Sequence, residues 1–254
     1  MSKSIQEIKK EFQDADLIQR QKLIEMYSSD ERKGVKQIIE KCHKEEEKLR
    51  QELNRLEQMK IFENKYSDYE YIVGIDEAGR GPLAGPVVAG AVILPKDCEI
   101  LYLNDSKKVS ASKREVLYDE IIEKAIAYGV GIVSPERIDE INILQATYEA
   151  MKEAVANLKV KPDMALVDAV TIPDLGFKQV GIVKGDAKSV SIAAASIIAK
   201  VTRDRIMTDM DKIYPEYGFA SHKGYGSAVH TDAIKKNGPC PIHRRTFIKN
   251  IVTK

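Results

Sequence analysis

The sequence predicts an α/β domain with a helical N-terminal extension, and three observations lead there. From about residue 70 onward, apolar runs of strand length alternate with segments that open on helix caps. Before Tyr66 the chain has helical periodicity and no strand signal. Several apolar runs end in carboxylates, which puts charge at strand ends rather than on helix faces.

The extension comes first. Ser4-Ile-Gln-Glu7 has the form of a capping box, after which Ile5, Ile8 and Phe12 fall on one face. A longer helix is expected from near Asp30, with Val35, Ile38, Ile39, Cys42, Leu49, Leu53 and Leu56 as a broken apolar stripe. Glu40 with Lys44 and Glu46 with Arg50 support its solvent side at helical spacing. The polar stretch 63–68 reads as the connection. The expected division is therefore 1–68 for the extension and 69–254 for the α/β domain, which ends in a helical segment.

In the α/β domain, Ile72, Val73 and Ile75 suit a sheet interior and lead into Asp76 and Glu77; the run 86–95 reads as the neighbouring strand. Ser112-Lys-Arg-Glu115 has the capping-box form, for a helix expected to reach about Tyr128, and 129–133 reads as a short strand. Ser134-Pro135 offers an N-cap followed by proline at the first helical position. The runs 164–170 and 180–185 are two further strand candidates. From Ser189 to Met210, the small and apolar positions Ile192, Ala193, Ala195, Ser196, Ile197 and Ala199 suit a helix packed closely on the sheet.

Composition bounds the function. A chain of 254 residues can bury a sizeable core. A formal net charge of +1 with 31% charged residues excludes a globally basic coat protein but leaves room for a local basic groove. Three separated cysteines, Cys42, Cys98 and Cys240, make no disulfide framework, which fits a reducing cytoplasm. No window approaches the ~18 consecutive apolar residues of a membrane span, and the N-terminus has no signal core. The expectation is a cytoplasmic protein with no membrane partner. No apolar stripe demands a second copy, so a monomer is the default.

Asp76, Glu77, Asp168 and Asp186 all fall at expected strand ends. Carboxylates gathered in one place repel one another. They become favourable together when hard cations such as Mg²⁺ or Mn²⁺ take oxygen ligands from them and keep waters and substrate phosphates in the remaining positions. That arrangement suits two-metal phosphoryl transfer. The competing reading is of ordinary turn and cap residues, and it is strongest for Asp186, because Gly-Asp is a frequent turn pair.

Six segments then carry a family resemblance. They are Asp76-Glu-Ala-Gly-Arg-Gly-Pro-Leu-Ala-Gly-Pro86, Asn104-Asp-Ser-Lys-Lys108, Leu166-Val-Asp168, Lys184-Gly-Asp-Ala-Lys-Ser189, Ala193-Ala-Ala-Ser-Ile-Ile-Ala-Lys-Val-Thr-Arg-Asp204 and His222-Lys-Gly-Tyr-Gly226. In this order, across residues 70–230, the chain resembles ribonuclease HII. The resemblance implies a ribonuclease H-like fold, a mixed central sheet flanked by helices. It implies a metal-dependent endonuclease that cuts the RNA strand of RNA–DNA hybrids, and cuts at single ribonucleotides in duplex DNA, leaving 3′-hydroxyl and 5′-phosphate ends. Ribonucleotide removal from DNA and RNA primer removal are the implied roles. The family's acidic tetrad falls on Asp76, Glu77, Asp168 and Asp186, with Mg²⁺ or Mn²⁺, two ions with substrate bound, as the implied cofactor.

Telling RNA from DNA requires contact with a 2′-hydroxyl. Gly79-Arg80-Gly81 suits that task, since two glycines let backbone groups approach the sugar while Arg80 reaches a phosphate. By resemblance this is the family's junction-reading motif, and the tyrosine matching Tyr225 stacks on the deoxyribose beside the ribonucleotide. Ser106, Lys107, Lys108, Lys184, Lys188 and Arg203 are candidates for a phosphate track. Two rival readings remain. One is ribonuclease HIII, whose motif usually carries lysine where this chain has Arg80 and whose N-terminal domain differs. The other is a nucleic-acid-binding protein without chemistry. Cys240-Pro-Ile-His243 with Cys42-His43 has poor spacing for zinc, and His222 and His230 read as polar surface side chains.

Overall fold

The computed structural model describes residues 3–252. The chain divides into two compact units, one up to Arg55 and one from Leu56 onward. In the first, α1 (Ile5–Asp14), α2 (Leu17–Tyr27) and most of α3 (Lys33–Met59) enclose a small core of Ile8, Phe12, Val35 and Cys42. The Ser4–Glu7 capping box forms as predicted, and Asp16 with Gln19 makes a second one at α2. The third helix starts after Asp30, whose carboxylate accepts hydrogen bonds from the backbone N–H and guanidinium of Arg32.

The second unit runs α4 (Ile61–Lys65), β1 (Ile72–Ala78), β2 (Val87–Ile93), α5 (Ala111–Lys124), β3 (Ala127–Val133), α6 (Pro135–Ile141), α7 (Ile143–Ala156), β4 (Met164–Asp168) and β5 (Lys178–Ile182). It continues through a 3₁₀ turn (Gly185–Ala187), α8 (Val190–Ile213), a second 3₁₀ turn (Pro215–Tyr217), α9 (Phe219–His222), α10 (Ala228–Asn237) and α11 (Arg245–Val252). The strands form one mixed sheet in the order β3-β2-β1-β4-β5. β2 is antiparallel to both neighbours, whereas β4 is parallel to β1 and β5. No helix among the described residues is long and apolar enough to cross a membrane.

One face of the sheet packs on α7, where Val73, Ile75, Ala89, Ala91, Ala150, Met151 and Ala165 share a core. The other face packs on α8, which buries Ala193, Ala194, Ala195, Ile197 and Ile198. This helix lies against the strand backbones themselves. A Cβ at Gly74 would fall 2.0 Å from the carbonyl carbon of Ser191, and one at Gly90 would fall 2.4 Å from the oxygen of Ala195. The small residues read in the sequence for this helix thus meet glycines on the sheet.

Several boundaries differ from the prediction, among them the run 180–185, which pairs with β4 over 178–182 and then leaves the sheet for a turn. The helix expected to reach Tyr128 ends at Lys124, because residues 127–133 pair with β2 along its whole length, from Val87 opposite Val133 to Ile93 opposite Ala127. Its N-cap is Ser110, not Ser112. The run 164–170 stops as a strand at Asp168, since Ala169 turns the chain with φ 56°.

Candidate active site

The site grows from the parallel pairing of β1 and β4. Ile75 lies opposite Val167, the last pair of that ladder, so Asp76 and Asp168 are the next residues on two adjacent strands; Asp168 ends β4, whereas β1 runs on to Ala78 paired with β2 alone. Ligand sites of mixed and parallel sheets collect at this edge. Asp76 lies two residues after Gly74 and shares its α8-facing side, while Glu77 falls on the opposite side. Asp76 is 5% exposed and Asp186 8%. After β5, Lys184 in the left-handed region (φ 57°) turns the chain into the 3₁₀ turn that carries Asp186. Asp168 Oδ1 accepts a hydrogen bond from Gly185 N (2.7 Å), which ties that turn to the end of β4.

The tetrad is electrostatically one group. Burial first, then the charges of Glu77 and Asp168, hold the Asp76 carboxyl well above the ordinary carboxylate range. The Ser196 hydroxyl and the Glu77 N–H (2.7 Å from Asp76 Oδ1) oppose this. Burial also raises Glu77, against the pull of Arg80, whose Nη1 lies 3.4 Å from Glu77 Oε1. Asp186 is raised by burial, then by Asp105 and Asp168, with Lys107 opposing. Partial burial lowers Lys107, but Asp105, Asp76, Asp186 and Asp168 together raise it above the ordinary lysine value. The cluster therefore lacks positive charge.

Among the described residues no three acid, imidazole or thiol side chains converge closely enough to enclose an ion by themselves. An open group of carboxylates with raised proton affinity still fits hard divalent cations, which leave part of their coordination to water and phosphate oxygens. Asp105 belongs to this group and sequence reading missed it. Its signal was membership in the same segment as Ser106 and Lys107.

Beside the acids stands the Gly79–Gly81 loop. Gly79 has φ +96°, and a Cβ there would fall 2.1 Å from Nε of Arg203. Gly81 is exposed, and the nearest atom to a Cβ built on it is Cε1 of Tyr225, at 4.0 Å. Tyr225 is 44% exposed on the segment after α9. The structure thus brings the glycine loop and the tyrosine together, with Arg80 between loop and acids.

The phosphate-track candidates separate. Lys107, Lys108, Lys184 and Lys188 are exposed, although Nζ of Lys188 donates back to the Val183 carbonyl (2.9 Å). Ser106 is buried, its Oγ 2.9 Å from the Oγ of Ser196, the hydroxyl that acts on Asp76, so it braces the acid from beneath instead of facing a phosphate. Arg203 is fully buried and cannot reach a phosphate; its N–H groups donate to the carbonyls of Pro86, Ala84 and Lys223.

Two features were not foreseen. Arg244 is fully buried and donates to the carbonyls of Gly85 (3.0 Å), Arg80 (2.9 Å) and Gly79 (2.5 Å). Among the described residues no carboxylate ion-pairs with Arg203 or Arg244, so charge-assisted bonds to loop carbonyls offset a desolvation cost of several kcal/mol each. Burial, and then the charge of Arg203, pushes Arg244 down to about 9.

The second feature corrects the surface reading of the histidines. His230 and His243 are buried, and their Nε2 atoms lie 3.0 Å apart. His230 Nδ1–H donates to the Tyr225 carbonyl (2.9 Å), so its Nε2 accepts from His243 Nε2–H, and His243 Nδ1 accepts from Cys240 N–H (3.0 Å). Cys240 Sγ also lies 3.1 Å from that nitrogen. His222 Nε2 meets the Tyr217 carbonyl at 2.8 Å.

Comparison with known proteins agrees with this geometry. The family model for ribonuclease HII matches residues 73–250, and that for the ribonuclease HII N-terminal domain matches residues 4–67. The chain is 62% identical over 227 residues to a ribonuclease HII of Lachnoclostridium phytofermentans, covering 89% of each chain. It is 55% identical over 252 residues to that of Clostridioides difficile, covering 98% of this chain and 99% of the relative. The solved ribonuclease H2 of Pyrococcus horikoshii superposes with a TM-score of 0.61 at 33% identity, over 72% of this chain and 97% of the other. The paired domain matches, N-terminal domain included, set the ribonuclease HIII reading aside. The chain belongs to the ribonuclease HII family, ribonuclease H hydrolases that cleave RNA in RNA–DNA hybrids.

Proposed function

We propose that this ribonuclease H cuts not only long hybrids but also single ribonucleotides embedded in duplex DNA, on their 5′ side, leaving 3′-hydroxyl and 5′-phosphate ends. Ribonucleotide removal from DNA and RNA primer removal in the cytoplasm, by a monomer, are the roles that follow. The observation that carries the reading is the juxtaposition of a charge-deficient acidic cluster with an open glycine loop and an exposed aromatic ring, Gly81 facing Tyr225.

Asp76, Glu77, Asp168 and Asp186 would hold two divalent ions, Mg²⁺ or Mn²⁺. When bound, such ions supply an activated water and stabilise charge on the leaving oxygen. The chain's own residues do the rest. Backbone groups of the Gly79–Gly81 loop read the 2′-hydroxyl, with exposed Gly81 leaving the bare approach and Gly79, buried against Arg203, shaping the turn. Tyr225 stacks on the next sugar, a contact of roughly 1–3 kcal/mol. Arg80 and Lys107 pair with backbone phosphates beside the acids, and Lys188 extends that track.

The test is cleavage of labelled duplexes carrying one ribonucleotide, a long RNA stretch or none, with Mg²⁺ and separately Mn²⁺. The reading requires a metal-dependent cut 5′ to the lone ribonucleotide and an intact all-DNA duplex. Cutting confined to the long hybrid would refute the junction-reading part. Binding with no cutting at all would leave a nucleic-acid-binding protein.

A further inference from the structure

We infer that the segment 240–244 is a clamp that holds the two substrate-reading loops at a fixed spacing, with His243 and Arg244 as positioning residues for selectivity toward an isolated ribonucleotide. The inference rests on the reading of Gly79–Gly81 and Tyr225 given above.

Neighbouring residues address the two readers. The Arg244 guanidinium donates to Gly79, Arg80 and Gly85, and its backbone N–H donates to Leu83 O (2.9 Å). Gly85 N–H donates to Ile242 O (2.9 Å), and Ala84 bridges His243 as a short antiparallel pair. The irregular loop 79–85 is therefore fastened to 242–244 at both ends, through Gly79 and Arg80 and through Leu83, Ala84 and Gly85. One residue earlier, His243 holds His230, and His230 holds the carbonyl of Tyr225 itself.

The loops also meet directly, through Leu83 N–H to Gly224 O (2.8 Å), and share Arg203. Every ring nitrogen of His230 and His243 is engaged, in one tautomer each. A core assembled for volume alone would not direct a carboxylate-free guanidinium at the carbonyls of Gly79 and Arg80, nor aim one imidazole at the carbonyl of Tyr225 and brace it with a second.

Selectivity should depend on this spacing more than cleavage does. A lone ribonucleotide presents one 2′-hydroxyl and one adjacent deoxyribose, so both readers must engage at once, whereas a long RNA strand presents a hydroxyl at every step.

The test compares kcat/KM on the single-ribonucleotide duplex with that on the long hybrid. His243→Phe and Arg244→Met are expected to lower that ratio at least tenfold. His243→Gln, which can donate and accept in place of the imidazole, should keep the ratio within threefold of the parent chain. In a Tyr225→Ala background, His243→Phe should cost nothing further, because its effect passes through the tyrosine.

A proportional fall on both substrates would overturn the clamp and leave a structural role. If Tyr225→Ala alone leaves the ratio unchanged, the reading of Tyr225 fails, and with it the His243 arm. Should the disruptive variants not fold, ¹⁵N spectra of the Asp76→Asn chain decide. Adding the single-ribonucleotide duplex should shift the His230 and His243 ring resonances, adding an all-DNA duplex should not, and equal responses to both would overturn the inference.

Discussion

Asp168 Oδ1 accepts the Gly185 backbone N–H at 2.7 Å, so the third acid of the tetrad also fixes the turn that carries the fourth. The two roles separate by substitution. Asp168→Asn keeps an acceptor oxygen but loses the charge, and Asp168→Ala loses both. Both variants should lose more activity than the roughly 10–100-fold that outer-shell partners of a metal cost. Only Asp168→Ala should also lose about 1 kcal/mol or more of stability, read by urea denaturation.

The acids repel one another when no metal is bound, and Asp76 bears the most burial. Asp76→Asn should therefore unfold no more easily than the parent without metal. Millimolar Mg²⁺ or Mn²⁺ should raise the melting temperature of the parent and do so less in the variant. Equal metal stabilisation of both chains, measured by calorimetry, would remove Asp76 from the cation site.

Gly79 and Gly81 should behave differently despite sitting two residues apart. Gly79→Ala meets both a positive φ and the Arg203 side chain, and should cost about 1–3 kcal/mol of stability. Gly81→Ala meets open space up to Tyr225, so it should fold normally yet cut the lone-ribonucleotide duplex less well. Thermal melts together with cleavage rates for the two variants check this contrast.

Burial, then the charge of His230, pushes His243 down to about 4 from an ordinary value near 6.5. Burial lowers His230 in the same direction. A base that resists protonation only when folded contributes stability that is full above about pH 6.5 and is lost as pH falls toward about 4. For His243 the loss is up to about 3 kcal/mol. Cys240, His222 and Arg245 also face or influence this ring and do not reverse the sign. His243→Gln should flatten the acid limb of a stability-versus-pH curve; an unchanged limb would place the proton uptake elsewhere.

Much of this was legible in the sequence, for local reasons. Acids following apolar runs marked Asp76, Glu77, Asp168 and Asp186, although only Asp168 ends a strand, since β1 runs on to Ala78 and Asp186 lies in a 3₁₀ turn after β5; the small-residue pattern of 189–210 matched a helix lying on glycines of the sheet. The end of α5 was not, because the apolar residues before Tyr128 continue a helical pattern and only pairing with β2 reassigns them. The burial of Arg203, His230, His243 and Arg244 was illegible for a deeper reason. Nothing local distinguishes a solvated arginine from one whose N–H groups are spent on carbonyls more than a hundred residues away.

The connection near Glu63 was read only as a polar linker. In the structure Glu63 Oε1 accepts from the Ser189 hydroxyl (2.6 Å) and Ser191 N–H (3.0 Å), at the start of α8 just after Asp186. Acceptors at helix N-termini contribute about 1 kcal/mol, and Glu63→Ala should destabilise by that order in a denaturation series.

The acidic cluster, if it is the cation-dependent cutting centre for a lone ribonucleotide, must be needed for the cut and not for binding. One duplex with a single labelled ribonucleotide tests it, with binding and single-turnover cleavage measured for the parent chain and for Asp76→Asn. The expected result is a cut 5′ to the ribonucleotide by the parent, and near-parental binding without cutting by the variant. Parental turnover by Asp76→Asn would contradict it.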